Sequence, residues 1–439
     1  MQKKIIAIAA TLLCGVAAPA MAQTSGASKV ELWGVVDAAV RHTNNQGTNR
    51  GNLTEMVGGG MSESRFGIKV TEDLGGGSSA LVELENRFKS DTGAVPSSYP
   101  FFQLAYVGLQ GPYGRLTMGR QWNVLFDVVT TTYASFPYSP YMDAYKPELG
   151  MAVGARNNNM LKYTIANADR SLVGSLQYSF DEGVNSTALA NAAMGAGVAA
   201  VTPAAVGAFM GANPGATQAQ AQAAIAGNAG AAYLQNNSSS ISTLASSLKT
   251  MGGYLRYSKN GISVGGGYLK TELPGGSDVD AWTLGGSYRS GPLYVNLGYG
   301  LNKFKPVNSA NPFLPAIDKT ILGSMWSGQT NGGFQPGNAN KRQMVKVGFG
   351  YQVTPQINAG LHYFHAKQTG DALGVHNGKA NFMVAAVDYA FSKRTDAYFA
   401  VDHTKVSGGS GMAIDSLANT GGVAVRSRTG ITVGLRHRF

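Results

Sequence analysis

Apolar side chains in this chain recur at every second position, stretch after stretch. In 293–301 the odd positions are Leu293, Val295, Leu297, Tyr299 and Leu301, while the even ones are small or polar. Val345, Val347, Phe349, Tyr351 and Val353 alternate in the same way, as do Met383, Ala385, Val387, Tyr389 and Phe391. A strand sends successive side chains to opposite faces, so this period specifies strands with one apolar and one polar face. The chain must therefore supply two solvents, one for each face.

The front of the chain indicates where this happens. Lys3 and Lys4 precede a short apolar run from Ile5 to Val16, and Ala20-Met21-Ala22 has the small-x-small form of a cleavage site. Residues 1–22 read as a secretory signal peptide, since the run is too short to span a bilayer. A lipoprotein reading of Cys14 fits poorly, because Leu13 stands where a small residue is wanted. Cys14 is the sole cysteine and lies in that segment, so the mature 23–439 chain is expected to lack disulfides, thiol catalysis and cysteine-bound metal.

The chain has 35 basic and 24 acidic residues; without Lys3 and Lys4 the balance is 33 − 24 = +9. A basic excess suits anions or anionic surfaces, and export makes nucleic acid a poor partner. Charged residues are 13% of the chain, about half the usual share, and no other apolar run approaches a spanning helix. An exported, weakly charged chain of alternating strands has one main membrane solution, a closed β-barrel.

Tight turns fall at Gly111-Pro112-Tyr113-Gly114, Ala168-Asp169, Asn260-Gly261, Ser290-Gly291-Pro292, Thr354-Pro355 and Ser392-Lys393, with long polar stretches between alternate pairs of strands. Short turns at one end and long loops at the other are the layout of an outer-membrane barrel. About sixteen stretches fit, beginning with Val30–Arg41 and Arg65–Asp73 and ending with Arg428–Phe439. A soluble β-sandwich would alternate too, but its polar face would be rich in charge. Here Tyr178, Phe180, Tyr257, Tyr288, Tyr363, Tyr389 and Phe391 sit near strand ends, as in interfacial girdles.

Four stretches, "VELWGVVDAAVRHT", "SRFGIKVTEDLGGG", "YVGLQGPYGRLTMGRQWNVLFD" and "VGLRHRF", occur in this order over nearly the whole mature chain. Together they resemble the general porins of Gram-negative outer membranes, of the Burkholderia, Bordetella, Comamonas and Neisseria type. The resemblance implies an all-β fold: a 16-stranded antiparallel transmembrane barrel with short periplasmic turns, long extracellular loops and a third loop folded into the lumen. It also implies a homotrimer amid outer-membrane lipids and lipopolysaccharide, with Phe439 as part of the signal read by the barrel-assembly machinery. Parity alone puts Ile431, Val433, Leu435, His437 and Phe439 on the outer face, and Arg436 and Arg438 on the inner.

A pore selects by what lines its narrowest part. The segment 122–155 is too long for an ordinary connection and carries many aromatics, which need a wall to pack on. Its acids are Asp127, Asp143 and Glu148. Strand parity turns Arg41, Arg65, Lys69, Arg87, Arg156 and Lys162 inward, together with Asp37, Glu83 and Glu85. By resemblance, Arg65 in "SRFG", Arg120 in "GRQW" and Arg156 in "RNNN" match basic positions near the constriction; Arg120 breaks parity with Arg115. The competing reading is that such arginines hold ion pairs in the wall. The Ala/Gly-rich tract 181–248 departs from the family pattern; its centre could be helical and its ends linker-like.

The expected function is passive diffusion of small hydrophilic solutes, with anions preferred. The alternatives are a substrate-specific channel binding a small anionic solute and, on barrel analogy alone, a hydrolase. No cofactor or metal is expected. His362 and His365 are three apart and face opposite sides of a strand, no catalytic triad spacing appears, and the glycine triplets Gly58–Gly60 and Gly75–Gly77 precede no helix, so they are not phosphate loops.

Overall fold

The computed structural model describes residues 28–46, 51–96, 100–135, 154–180, 193–195, 197–236, 248–273, 275–308, 318, 341–370, 377–408 and 426–439. The 1–22 segment lies outside them. The strands are β1 (Lys29–Gln46), β2 (Gly51–Gly58), β3 (Arg65–Gly75), β4 (Ser78–Arg87), β5 (Leu104–Gly111), β6 (Gly114–Trp122), β7 (Arg156–Ala166), β8 (Leu172–Ser179) and β9 (Lys249–Lys259). They continue as β10 (Ile262–Glu272), β11 (Asp278–Ser290), β12 (Leu293–Lys305), β13 (Lys341–Gln352), β14 (Ile357–Thr369), β15 (Gly378–Ala390), β16 (Thr395–Gly408) and β17 (Ser427–Arg438).

All pair antiparallel with their neighbours, and the sheet closes where β1 meets β17, from Val35 opposite Arg438 to Thr43 opposite Gly430. Closure extends one residue further. Gly34 N donates to Phe439 O at 3.0 Å, and Phe439 N donates to Gly34 O at 3.1 Å. The Phe439 ring lies where a Cβ on residue 34 would stand, so a glycine is needed there. Closure leaves no open edge and satisfies the ladder all round, which a sandwich cannot do.

Seventeen segments make sixteen staves. β2 pairs with the upper half of β1, from Ala38 opposite Gly58 to Gln46 opposite Gly51, and β3 pairs with the lower half, from Lys29 opposite Thr71 to Val35 opposite Arg65. They are one stave broken by residues 59–64. The break turns inward because Asp37 holds it. The Asp37 carboxylate accepts from Gly60 N (3.0 Å), Met61 N (3.2 Å), Ser62 N (2.7 Å) and the Tyr398 hydroxyl (2.6 Å). Met61 packs beside it against Ala39, Ala386, Tyr398 and Ala400. The Gly58–Gly60 triplet thus feeds an anion cradle after all, but the anion is the chain's own carboxylate.

Period 2 runs true through the wall. Leu284, Leu297, Val347 and Val433 are exposed on the outside, while Thr283, Asn296, Lys346 and Thr432 are buried on the inside. Ile431, Val433, Leu435 and Phe439 are exposed in the same way, and Arg436 is turned in against Asp396. Such a continuous apolar belt is what lipid requires. At the short-turn end, Asn260 and Gly261 have φ of 52° and 79°, the paired positive values of a hairpin turn that matches strand twist.

The 181–248 tract carries two helices, α2 (Pro203–Ala212) and α3 (Gln218–Asn236), packed on each other. Thr202 caps α2, accepting from Ala205 N at 3.2 Å, with Pro203 at the first helical position. Thr217 and Gln220 bond reciprocally at the start of α3, Gln220 Oε1 taking Thr217 N at 2.8 Å and Thr217 Oγ1 taking Gln220 N at 3.3 Å. The linker-like ends, 181–192 and 237–247, lie outside the described residues.

Candidate functional site

The interior is organised by the segment after β6. Asn123 ends the strand and starts helix α1 (Val124–Thr132): its Oδ1 accepts from Phe126 N at 2.8 Å. Its Nδ2 donates to Gly154 O at 2.9 Å and its backbone N to Ala155 O at 2.9 Å, so the two ends of the loop are tied together. Val124, Val128, Val129 and three threonines are weak helix formers. Packing on the wall stabilises α1 instead.

Val124 and Leu125 join Leu248, Leu269, Leu273, Val279 and Ala281 in one apolar cluster. The helix can lie this close because the inward positions beneath it are glycines. A Cβ at Gly265 would stand 2.9 Å from Val128, and one at Gly267 would stand 2.9 Å from Leu125. Beyond the helix, Tyr133 lies flat over Gly285 and Gly298; a Cβ at either would come within 2.6 Å of its ring. Its hydroxyl meets Thr283 Oγ1. Lys346 Nζ stands 4.7 Å from the ring centroid and reaches Ser135 Oγ at 3.3 Å, a buried cation lodged on an aromatic face. Ser287 donates to Thr132 O, and the Tyr294 hydroxyl donates to Ala134 O at 2.8 Å.

Across the lumen the wall is charged. Glu85 of β4, almost wholly buried, is surrounded by three arginines: Arg87 Nε at 2.7 Å, Arg65 Nε at 3.8 Å and Arg156 at 3.9 Å. Arg87 also pairs with Glu63. Arg156 lies 3.6 Å above the Trp122 ring and Arg87 lies 5.1 Å from it, while Phe126 stacks on Trp122 at 3.6 Å. Arg120 donates to Asn158 Oδ1. Glu63 and Glu85 are acids of this cluster among the described residues. Lys69 is matched by Glu83 at 3.5 Å, and Lys162 by Asp127 at 2.6 Å. Lys162 also donates to Trp122 O at 2.9 Å, bridging wall and loop. Burial pushes the Asp127 carboxyl above its ordinary range, and Lys162 pulls it back.

Arg65, Arg87, Arg120 and Arg156 thus come together, with Lys69 and Lys162 beside them. Arg41 does not join them. It is 3% exposed and grips Asp402 through two bonds of 2.6 and 2.9 Å, with Thr432 as a third partner at 2.9 Å. That is a wall brace of the kind the ion-pair reading describes, as are Arg436 and Arg438 on Asp396. Asp143 and Glu148 lie outside the described residues. Arg120 breaks parity for a local reason. The β6–β7 register slips between Gly119 and Gln121, Gly119 has φ of 128° and Asn159 has φ of 51°. A bulge re-aims the side chains on both strands. Sequence reading misses Trp122 as the plate between the arginines and Lys346 as an anchor of the loop; a lysine at an inward position of a mid-barrel strand was the available signal.

No group of three His, Cys, Asp or Glu suited to a metal occurs among the described residues. His362 is buried against Asn296 at 2.7 Å, whereas His365 bonds Asn381 at 2.8 Å.

The model of the Gram-negative porin family matches residues 9–313 and 228–409. Outer membrane porin protein 32 of Delftia acidovorans is 33% identical over 195 residues, 42% of this chain and 50% of that protein. The chain thus spans half the length of that relative. An outer membrane porin protein of Bordetella pertussis is 25% identical over 401 residues, 82% of this chain and 93% of that protein. An anion-selective porin from Comamonas acidovorans shares the fold, with a TM-score of 0.61 at 21% identity over 94% of this chain and all of that one. Family match, relatives and closed sixteen-stave barrel agree: this chain belongs to the Gram-negative porin family.

Proposed function

We propose that the pore passes small hydrophilic solutes and prefers anions. The observation that carries this reading is the cluster on the wall: Arg65, Arg87 and Arg156 gather around Glu85, with Arg120, Lys69 and Lys162 beside them. This basic cluster faces a water-filled passage narrowed by the 122–155 loop, the constriction loop on this reading. Over a few ångströms, salt at ~0.1 M screens little, so the basic cluster concentrates anions and repels cations. The likeness to a porin described as anion-selective supports the same sign. The chain acts as a channel and not as an enzyme.

The remaining parts follow from the same reading. Residues 1–22 direct export and are removed. The apolar outer face of the first strands, with Val30, Leu32, Val36 and Val40 exposed, serves contact with lipid, lipopolysaccharide and two further copies in a homotrimer. Phe439, paired to Gly34 and exposed on the outer face, serves recognition by the barrel-assembly machinery. The helical 181–248 insertion stands at the extracellular end.

Reversal potential under a salt gradient tests the selectivity. The native pore is expected to give the anionic sign. Arg65→Ala with Arg156→Ala should move the potential toward zero. A cationic sign for the native pore, or unchanged selectivity in the double variant, refutes the assignment.

A further inference from the structure

Between α1 and the short-turn end lies a cavity of about 700 Å³ that the charged wall does not reach. That size suits a small ligand. Hydroxyl and amide side chains line it together with Ala134, Pro292 and three glycines. Ser258, Ser263 and Ser287 stand side by side at paired positions of β9, β10 and β11. Thr130 and Thr131 roof it from the helix, and Gln352 and Asn358 close it from β13 and β14. Among the described residues that line it, one is charged. Arg289 lies 4.9 Å over the Tyr294 ring, and no acidic side chain lines the cavity among the described residues. The ring bears on the guanidinium without neutralising it.

The hydroxyls of Thr130, Thr131, Ser287 and Tyr294 donate to backbone carbonyls and keep their lone pairs for a polyol, whose hydroxyls donate, while the apolar wall can meet its carbon frame. A lone guanidinium adds a place for one carboxylate, which it binds through two parallel bonds. We infer that this cavity is a binding subsite for a sugar acid, a polyhydroxylated monocarboxylate, occupied on the periplasmic side of the constriction. The inference rests on the proposed pore, since the solute must pass α1 to arrive. It adds a resting place that free diffusion does not need. Position explains its use: an anion drawn through by the arginines of β3, β4 and β7 next meets a single cation among hydroxyls. The subsite would keep sugar acids near the mouth and let chloride pass.

The test uses the full protein in planar bilayers with chloride as carrier and D-gluconate as probe. Gluconate is expected to reduce the chloride current with saturation at one site. Arg289→Gln should raise the half-blocking concentration about tenfold, the loss expected for one charge-assisted pair, and Arg289→Lys should keep part of the block. Each variant's chloride current without gluconate is the reference against which its own block is read. Glucose, which lacks the charge, and acetate, which lacks the hydroxyls, should each block far more weakly. Equal block by either one, or block unaltered in Arg289→Gln, overturns the subsite. Chloride current with no gluconate block also overturns it and leaves the pore reading intact, whereas no current from folded protein defeats the pore reading itself.

Discussion

Two stretches of the same wall obey the same alternation and fill their inward positions in opposite ways. On β3, β4 and β7 those positions carry Arg65, Lys69, Glu83, Glu85, Arg87 and Lys162. On β10, β11 and β12 they include Gly265, Gly267, Gly285 and Gly298. On the proposed reading the charged stretch faces water and shapes the field. The glycine stretch has no side chains of its own there, and α1 and Tyr133 supply them. A passage needs both: a narrow ring forms only if something crosses the lumen, and that something needs a flat place to rest.

The largest effect should follow from filling the glycine floor. In Gly285→Val with Gly298→Val, new side chains occupy the place of the Tyr133 ring. Overpacking typically costs ~1–3 kcal/mol per site, and here the loop can escape into the lumen. Altered single-channel conductance and fast protease cleavage between 122 and 155 are expected, with the sixteen-stave barrel still heat-stable. Unchanged conductance and an intact loop would break the contrast between the two walls.

A smaller effect should follow at the charged wall. Glu85→Gln removes the acid shared by three arginines. The reversal potential should move further in the anionic direction, the reverse of the arginine variants and smaller than their shift. A shift toward cations would mean that Glu85 acts by placing the arginines and not by offsetting their charge.

The smallest effect concerns the joint between the walls, Asp127 with Lys162. Burial makes the Asp127 carboxyl harder to ionise in the folded pore than in the unfolded chain, and Lys162 opposes this. A raised acid favours the folded state while protonated, below the usual carboxylate range, and that contribution is lost as pH rises through the raised value. Lys162→Met removes the opposition and widens that window upward. The variant loop should be looser than native near neutral pH and recover at a pH around the ordinary carboxylate value of about 4, read by protease cleavage at the two pH values. Equal cleavage at both would remove Lys162 as the bridge.

Much of this was legible in the sequence. Period 2 located the staves, and parity placed Arg65, Arg87 and Lys162 inside, because a strand has only two faces. What escaped was set by partners far along the chain. Arg41 reads as a lumen cation until Asp402, 361 positions away, takes its charge. β2 reads as loop because Asn52, Thr54 and Glu55 show no apolar face, yet the free half of β1 pairs with it. The floor of glycines marks a vacancy in the sequence without saying what fills it. Arg120, off parity with Arg115, is re-aimed by a bulge that only a backbone reveals.

The cradle around Asp37 bears on how charge should be counted in such a channel. Three amide dipoles and a phenol hydroxyl do for this carboxylate what a hydration shell does for a free ion. Polypeptide is its solvent, fixed in place, and little of its field escapes to a passing solute. The pairs Arg41–Asp402 and Arg436–Asp396 are muted in the same way. A travelling ion therefore does not experience the formal excess of nine charges; it experiences the few groups whose only dielectric shield is the water it moves through.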